Sequence, residues 1–199
     1  LPQWVTDAVF GNGIKFTTNT AALRIADSAV LKKKKKATWF FLLKFNEINR
    51  GHQLLEKSSL VSQANQSHEM SIESTNKTQI VLPDEYLTGN SKYFITRSDN
   101  AILETADIDN VIGIAITYNV TTKVLKVIKN QTTFNWSVLA GYGTFSGITM
   151  IDNSTMDLFI GDKFYDNGVN YIGGYSMRAE LYGIAMIKDD LTESEIKAE

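Results

Sequence analysis

The sequence predicts an all-β protein, two antiparallel sheets packed face to face as a jelly-roll β-sandwich with a short C-terminal helix. Three observations predict it. Period-two runs rich in β-branched and aromatic residues recur along the chain, clusters of glycine, asparagine and serine separate them, and helical periodicity is nearly absent before the C-terminus. The 199 residues, 43% hydrophobic and 21% charged, are expected to form one sandwich domain over 1–199. A chain of this size can bury roughly 70% of the surface it exposes when unfolded, so it needs neither disulfides nor metal to fold.

Residues 13–18 alternate with Ile14 and Phe16 directed inward, and residues 22–26 repeat the pattern through Leu23 and Ile25, giving two early strands. Residues 38–45 include Trp39, Phe40, Phe41, Leu42 and Leu43 and are apolar on both faces, as expected of a central strand with layers on either side. Further strands are expected at residues 53–56, 70–72, 79–82 and 92–96, bounded by Gly51, Pro83 and Thr88-Gly89-Asn90. A hairpin runs out through Ile112, Ile114, Ile116 and Tyr118, turns near residues 119–122 and returns through Val124 to Ile128. Residues 157–161 and 179–187 complete the strands. Asp166-Asn167-Gly168 makes a tight turn between them, because asparagine and glycine tolerate positive φ. Thr192 can cap the amide of Glu195, Glu195 can reach back, and Leu191 can staple onto Ile196, so a short helix closes the chain. The five lysines of residues 32–36 repel one another and are expected in a solvated loop.

Lysine plus arginine number 20 against 22 for aspartate plus glutamate, so no overall field draws the chain to nucleic acid or anionic lipid. The absence of cysteine removes thiol catalysis, thiolate metal sites and disulfides, and fits a bacterial or viral source. The longest apolar run, residues 37–43, is far shorter than the 18 or so residues a membrane helix needs, so membrane insertion is not expected. Six Asn-x-Ser/Thr sequons start at Asn65, Asn76, Asn119, Asn130, Asn135 and Asn153, and read as products of an asparagine- and threonine-rich composition.

The order of these segments resembles the laminin-G-like branch of the concanavalin A-like lectin and glucanase superfamily. Asn12-Gly13-Ile14-Lys15-Phe16 with Leu23-Arg24-Ile25 is similar to its opening strand pair. Residues 38–45 and Gln53-Leu54-Leu55-Glu56-Lys57 are similar to its aromatic strand and the strand that follows. Residues 110–118 and 123–130 resemble its central hairpin, although Asp109 and Asn110 stand where tryptophan and histidine are usual, and Gln131 replaces the glycine after Asn130. Phe159-Ile160-Gly161, the strand at 181–187 and Leu191-Thr192-Glu193-Ser194-Glu195-Ile196 reproduce its closing signature. The resemblance runs from about Val9 to Ile196 and implies a two-sheet jelly roll.

Glucanases of this superfamily use two carboxylates alternating on one strand as nucleophile and acid. Asp107 and Asp109 would share a face if extended, with Glu104 pointing the other way, but all three fall in a polar connector that reads as a solvated loop, and no catalytic residue is assigned. His52 and His68 lack a second imidazole or a carboxylate at ligand spacing and read as surface or strand-end residues. Gly141-Tyr142-Gly143 lacks the third glycine and following helix of a dinucleotide fingerprint, and reads as a turn.

Two binding sites are expected. Trp136, Tyr142, Phe145, Tyr165, Tyr171 and Tyr175 crowd one region with glycines between them, and sugar-binding sandwiches stack aromatic rings on sugar faces while residues such as Asn167 bond the hydroxyls. The same rings could instead cover the core beneath long loops or meet a neighbouring subunit. Calcium is the cofactor the resemblance implies, through the hard-oxygen side chains of Asp157, Asp162 and Asp166, with turn capping as the alternative role for the last two. The first functional expectation is a non-enzymatic recognition or structural module on a phage virion or bacterial surface, its partners a surface glycan, other virion or envelope proteins, or further copies of itself. A glycoside hydrolase or polysaccharide lyase of the same fold, and an oligomeric structural subunit without ligand, are the alternatives.

Overall fold

The structure, a computed structural model, describes residues 2–17, 22–31, 35–57, 68–83, 93–140, 157–162 and 176–198. Among the described residues fourteen strands follow one another: β1 Gln3–Asp7, β2 Gly11–Lys15, β3 Leu23–Ile25, β4 Lys36–Phe45, β5 His52–Lys57, β6 His68–Ile72, β7 Thr78–Pro83, β8 Tyr93–Ser98, β9 Val111–Asn119, β10 Val124–Lys129, β11 Thr132–Phe134, β12 Trp136–Val138, β13 Leu158–Ile160 and β14 Ala179–Ile187. A short helix, α1 (Glu193–Ala198), follows. The strands form two seven-stranded antiparallel sheets, ordered β1-β2-β14-β4-β9-β10-β11 and β12-β8-β7-β6-β5-β13-β3. The β-sandwich expected from the sequence is the fold.

The core lies between the sheets and draws on both. Alternate residues of β4 (Trp39, Phe41, Leu43, Phe45) and β9 (Ile112, Ile114, Ile116, Tyr118) meet Leu55, Met70, Ile80, Leu82 and Phe94 of the second sheet, all buried. Each such aliphatic or aromatic side chain contributes about 1.5–3 kcal/mol on leaving water, so this shared layer dominates the stability. The central place of β4 follows from its two apolar faces: β14 pairs along one side and β9 along the other.

One irregularity sets the outer face. Leu181 pairs with Leu43, but Gly183, two residues on, pairs with Leu42, so Tyr182 is an extra residue, a β-bulge. Before it Ala179 and Leu181 face the core; after it Ile184 and Met186 do, leaving Gly183 and Ala185 outward.

Several elements depart from expectation. The strand β1 pairs with β2 through a hairpin in which the Asp7 carboxylate accepts the N–H groups of Val9 and Phe10 and Gly11 takes a left-handed φ of 75°. Short strands β11 and β12 add an edge to each sheet. Lys36 begins β4 rather than ending the lysine loop, its Nζ 2.5 Å from Asp189 at the surface. The terminal helix forms with its capping box made: Glu195 N–H donates to Thr192 Oγ1 (3.3 Å) and Thr192 N–H donates to Glu195 Oε2 (2.7 Å). Among the described residues no helix is long and apolar enough to cross a membrane.

Candidate functional site

A groove of about 450 Å³ opens on the outer face of the first sheet, between the strands and α1. Its floor follows from the register. In one rung Gly183, Leu42 and Gly113 lie side by side on β14, β4 and β9; in the next, Ala185, Phe40 and Ala115 do, continued by Ile128 on β10. Leu42 and Phe40 are each flanked by glycine or alanine on both sides, so they stay half-buried with their sides uncovered. Ile196 of α1 closes one wall by packing on Ala115 and Ile128, and Leu191 and Phe40 lie against the same cluster.

The two glycines are not demanded by the backbone. Neither has a left-handed φ; an added Cβ at Gly183 would come no nearer than 3.6 Å to Leu42, and at Gly113 no nearer than 3.9 Å to Asn130. Glycine inside a strand costs about 0.5–1 kcal/mol relative to alanine. A pair of them in one rung, with room for side chains, keeps a space open that folding alone would fill.

The polar rim is the two-residue turn between β10 and β11. Asn130 and Gln131 adopt φ of 43° and 70°, the twist that suits a tight hairpin, and Gln131 holds it without being glycine. Asn130 Oδ1 accepts the Gly113 N–H at 2.8 Å, which fixes the turn against the groove. Lys197 lines the opposite side, its Nζ 2.6 Å from Glu193 Oε1. Further along the same face Glu180 receives Lys15 (3.1 Å), Lys44 (3.4 Å) and the Tyr182 hydroxyl (2.5 Å). Burial opposes the Glu180 charge, but these three partners outweigh it and hold the carboxyl below its usual range; burial and the neighbouring Glu180 push the Tyr182 hydroxyl up.

The residues singled out from the sequence fall elsewhere. Trp136 is half-buried on β12 at the edge of the second sheet, its ring edge-on to Phe94 with centroids 6.1 Å apart. Tyr142, Phe145, Tyr165, Asp166, Asn167, Tyr171 and Tyr175 lie outside the described residues. Asp157 is engaged by Arg24 and by the Asp27 N–H (2.9 Å), and Asp162 is fully buried just after Gly161. Among the described residues no three histidine, aspartate or glutamate side chains gather as metal ligands would.

Two readings are corrected, the solvation of Asp107 and the exposure of His52. The segment around Asp107 and Asp109 is a connector, as expected, but not a wholly solvated one: residues 105–107 form a 3-10 turn and Asp107 is buried against Lys129 Nζ (2.8 Å), while Asp109 takes a φ of 60° with an exposed side chain. His52 is a strand end but not a surface residue. It is buried with Phe45 edge-on at 4.8 Å, and its Nδ1 accepts the Arg178 N–H at 3.2 Å. Sequence reasoning passed over the groove, whose signal was the pairing of Gly113 and Ala115 in one strand with Gly183 and Ala185 in another.

No protein-family profile matches the sequence, and no curated protein matches it. Solved structures do. The IT-sialidase carbohydrate-binding module CBM40 of Ruminococcus gnavus, bound to α2,3-sialyllactose, is 17% identical over 94% of each chain, with a TM-score of 0.62. The binding domain of botulinum neurotoxin serotype G is 11% identical over 98% of this chain and 44% of its own, with a TM-score of 0.67. The NanB sialidase of Streptococcus pneumoniae is 11% identical over 94% of this chain and 27% of its own, with a TM-score of 0.65. The likeness is one of fold.

Proposed function

We propose that this chain is a non-catalytic recognition module, a single sandwich domain of the concanavalin A-like and laminin-G-like kind, that binds a saccharide in the groove on its outer sheet. The observation that carries the reading is the groove itself, kept open by two glycines the backbone does not require. Its chemistry suits a sugar: the apolar face of a pyranose lies on Phe40 and Leu42, and the amides of Asn130 and Gln131 at the rim bond hydroxyls. The fold likeness to a module bound to α2,3-sialyllactose supports the same class. The order of sequence motifs supports placement on an exterior surface such as a phage virion or bacterial envelope, where neighbouring structural proteins or further copies would be additional partners.

A glycan array probed with the whole chain, with calcium and with a chelator, tests this. Retention on defined saccharides that is lost in Gly183→Val and kept in Trp136→Ala is expected. Retention lost only in Trp136→Ala would move the site to the aromatic rim around Tyr142 and Tyr175, and dependence on calcium would bring Asp157, Asp162 and Asp166 back into play. An empty array, or turnover of a polysaccharide panel, would overturn the proposal.

A further inference from the structure

We infer that the groove selects an uncharged sugar bearing an acetamido substituent, with the methyl seated on the glycine rung and the amide at the hairpin turn. The inference rests on the groove being the saccharide site, and three observations carry it.

The first is the floor. Between Gly113 and Gly183 the groove bottom is the Leu42 side chain and apolar backbone-flanking surface, with Phe40 beside it. A hydroxyl pressed there would lose its water and find no partner, at about 1–3 kcal/mol each. A methyl group gains by the same burial, at about 0.8 kcal/mol per carbon. Plain hexoses, whose substituents are all hydroxyls, fit such a floor poorly.

The second is the rim. The carboxamide oxygen of Asn130 is already committed to the Gly113 N–H at 2.8 Å, which orients the group and leaves its NH₂ to donate. An acetamido carbonyl accepts from such a donor, and the exposed Gln131 amide can take the acetamido N–H. A purely aliphatic occupant would instead strip water from both amides without replacing it.

The third is charge. Among the described residues Lys197 is the one ionic side chain lining the groove, and Glu193 sits 2.6 Å from it, with Lys126 at 3.9 Å from the same carboxylate. Glu195 is held by Thr192 at the helix start. The cation on the groove wall is thus already paired, and among the described residues no other lines the groove to meet a ligand carboxylate, so an uncharged ligand is the complement. This sets the chain apart from a module that takes an anionic sialoside.

Titration calorimetry of the full chain with N,N′-diacetylchitobiose, its de-N-acetylated counterpart, cellobiose and sialyllactose tests the inference. The diacetylated disaccharide is expected to bind at least tenfold tighter than cellobiose, and Gly183→Val to remove that preference. Saturation-transfer NMR on the unaltered chain gives an independent reading: the acetamido methyl should receive the strongest transfer. Equal affinity for acetylated and plain disaccharides, or preference for sialyllactose, would overturn the inference while leaving a glycan-binding module standing. Binding by none of the four, with an empty array, would remove both.

Discussion

Asn130 is clamped to the backbone of Gly113: its side-chain Oδ1 accepts the Gly113 N–H at 2.8 Å while its backbone N–H donates to the Gly113 carbonyl at 3.1 Å. That pair of bonds holds the β10–β11 turn in the shape that forces Gln131 to a φ of 70°. Left-handed backbone costs a non-glycine residue about 1 kcal/mol. Gln131→Gly should therefore raise the stability by about that much, read as a higher urea midpoint with an unchanged slope. Because the amide leaves with it, saccharide affinity should fall in the same variant.

Gly161 has the opposite character to the groove glycines. Its φ is 96°, and a Cβ there would lie 2.4 Å from Phe16 Cε1, inside the core. Gly161→Ala combines backbone strain with overpacking and should cost about 3 kcal/mol. Denaturant unfolding should show a lower midpoint, while Gly183→Ala should match or exceed the parent chain.

Burial is the main cause that lowers His52 from 6.5 to about 4; Arg50 adds to it and Glu47 opposes it. The unfolded chain therefore takes up this proton first as the pH falls. Stability linked to His52 is complete above pH 6.5 and declines towards pH 4, by about 3 kcal/mol over the window. Urea unfolding measured from pH 7 to pH 4 should show that slope in the parent chain. In His52→Gln, which keeps an acceptor for the Arg178 N–H but cannot titrate, the slope should be shallower by the His52 contribution.

Asp107 and Lys129 form a buried ion pair of 2.8 Å, and Asp107 Oδ2 also accepts the Glu104 N–H at 2.7 Å. Asp107→Asn would strand the ammonium, at a cost of about 3 kcal/mol. Lys129→Met combined with Asp107→Asn should recover most of it. A double-mutant cycle in urea, showing coupling well above 1 kcal/mol, checks this.

The fold was legible because each long strand carries its own alternation: Ile112, Ile114, Ile116 and Tyr118 mark β9 from the sequence alone, and all four are buried. Thr192 and Glu195 likewise announced the helix they cap. Short edge strands were not legible, since β1 carries Trp4 largely in water beside a half-buried Val5, and three-residue strands such as β11 are fixed by their partners rather than by pattern. His52 escaped because one polar letter before an apolar strand does not say which side of the sheet it faces; the ring of Phe45 and the N–H of Arg178 decide that. Asp107 and Asp109 looked like strand partners only while the segment was taken as extended, and the 3-10 turn breaks the alternation between them. The candidate groove was hidden for a related reason: its floor is assembled from three strands far apart in the chain, and their alignment is a property of the sheet.

Tyr182 is the hinge of that alignment. Were Tyr182 to pair with Leu42 instead of bulging, β14 would run through in unbroken phase, and every side chain beyond it would change sides. Ile184 and Met186 would fill the exterior hollow, while Gly183 and Ala185 would leave voids opposite Phe41 and Trp39. The bulge at Tyr182, rather than the composition of β14, thus decides which of the two surfaces of the sheet is solid and which is vacant.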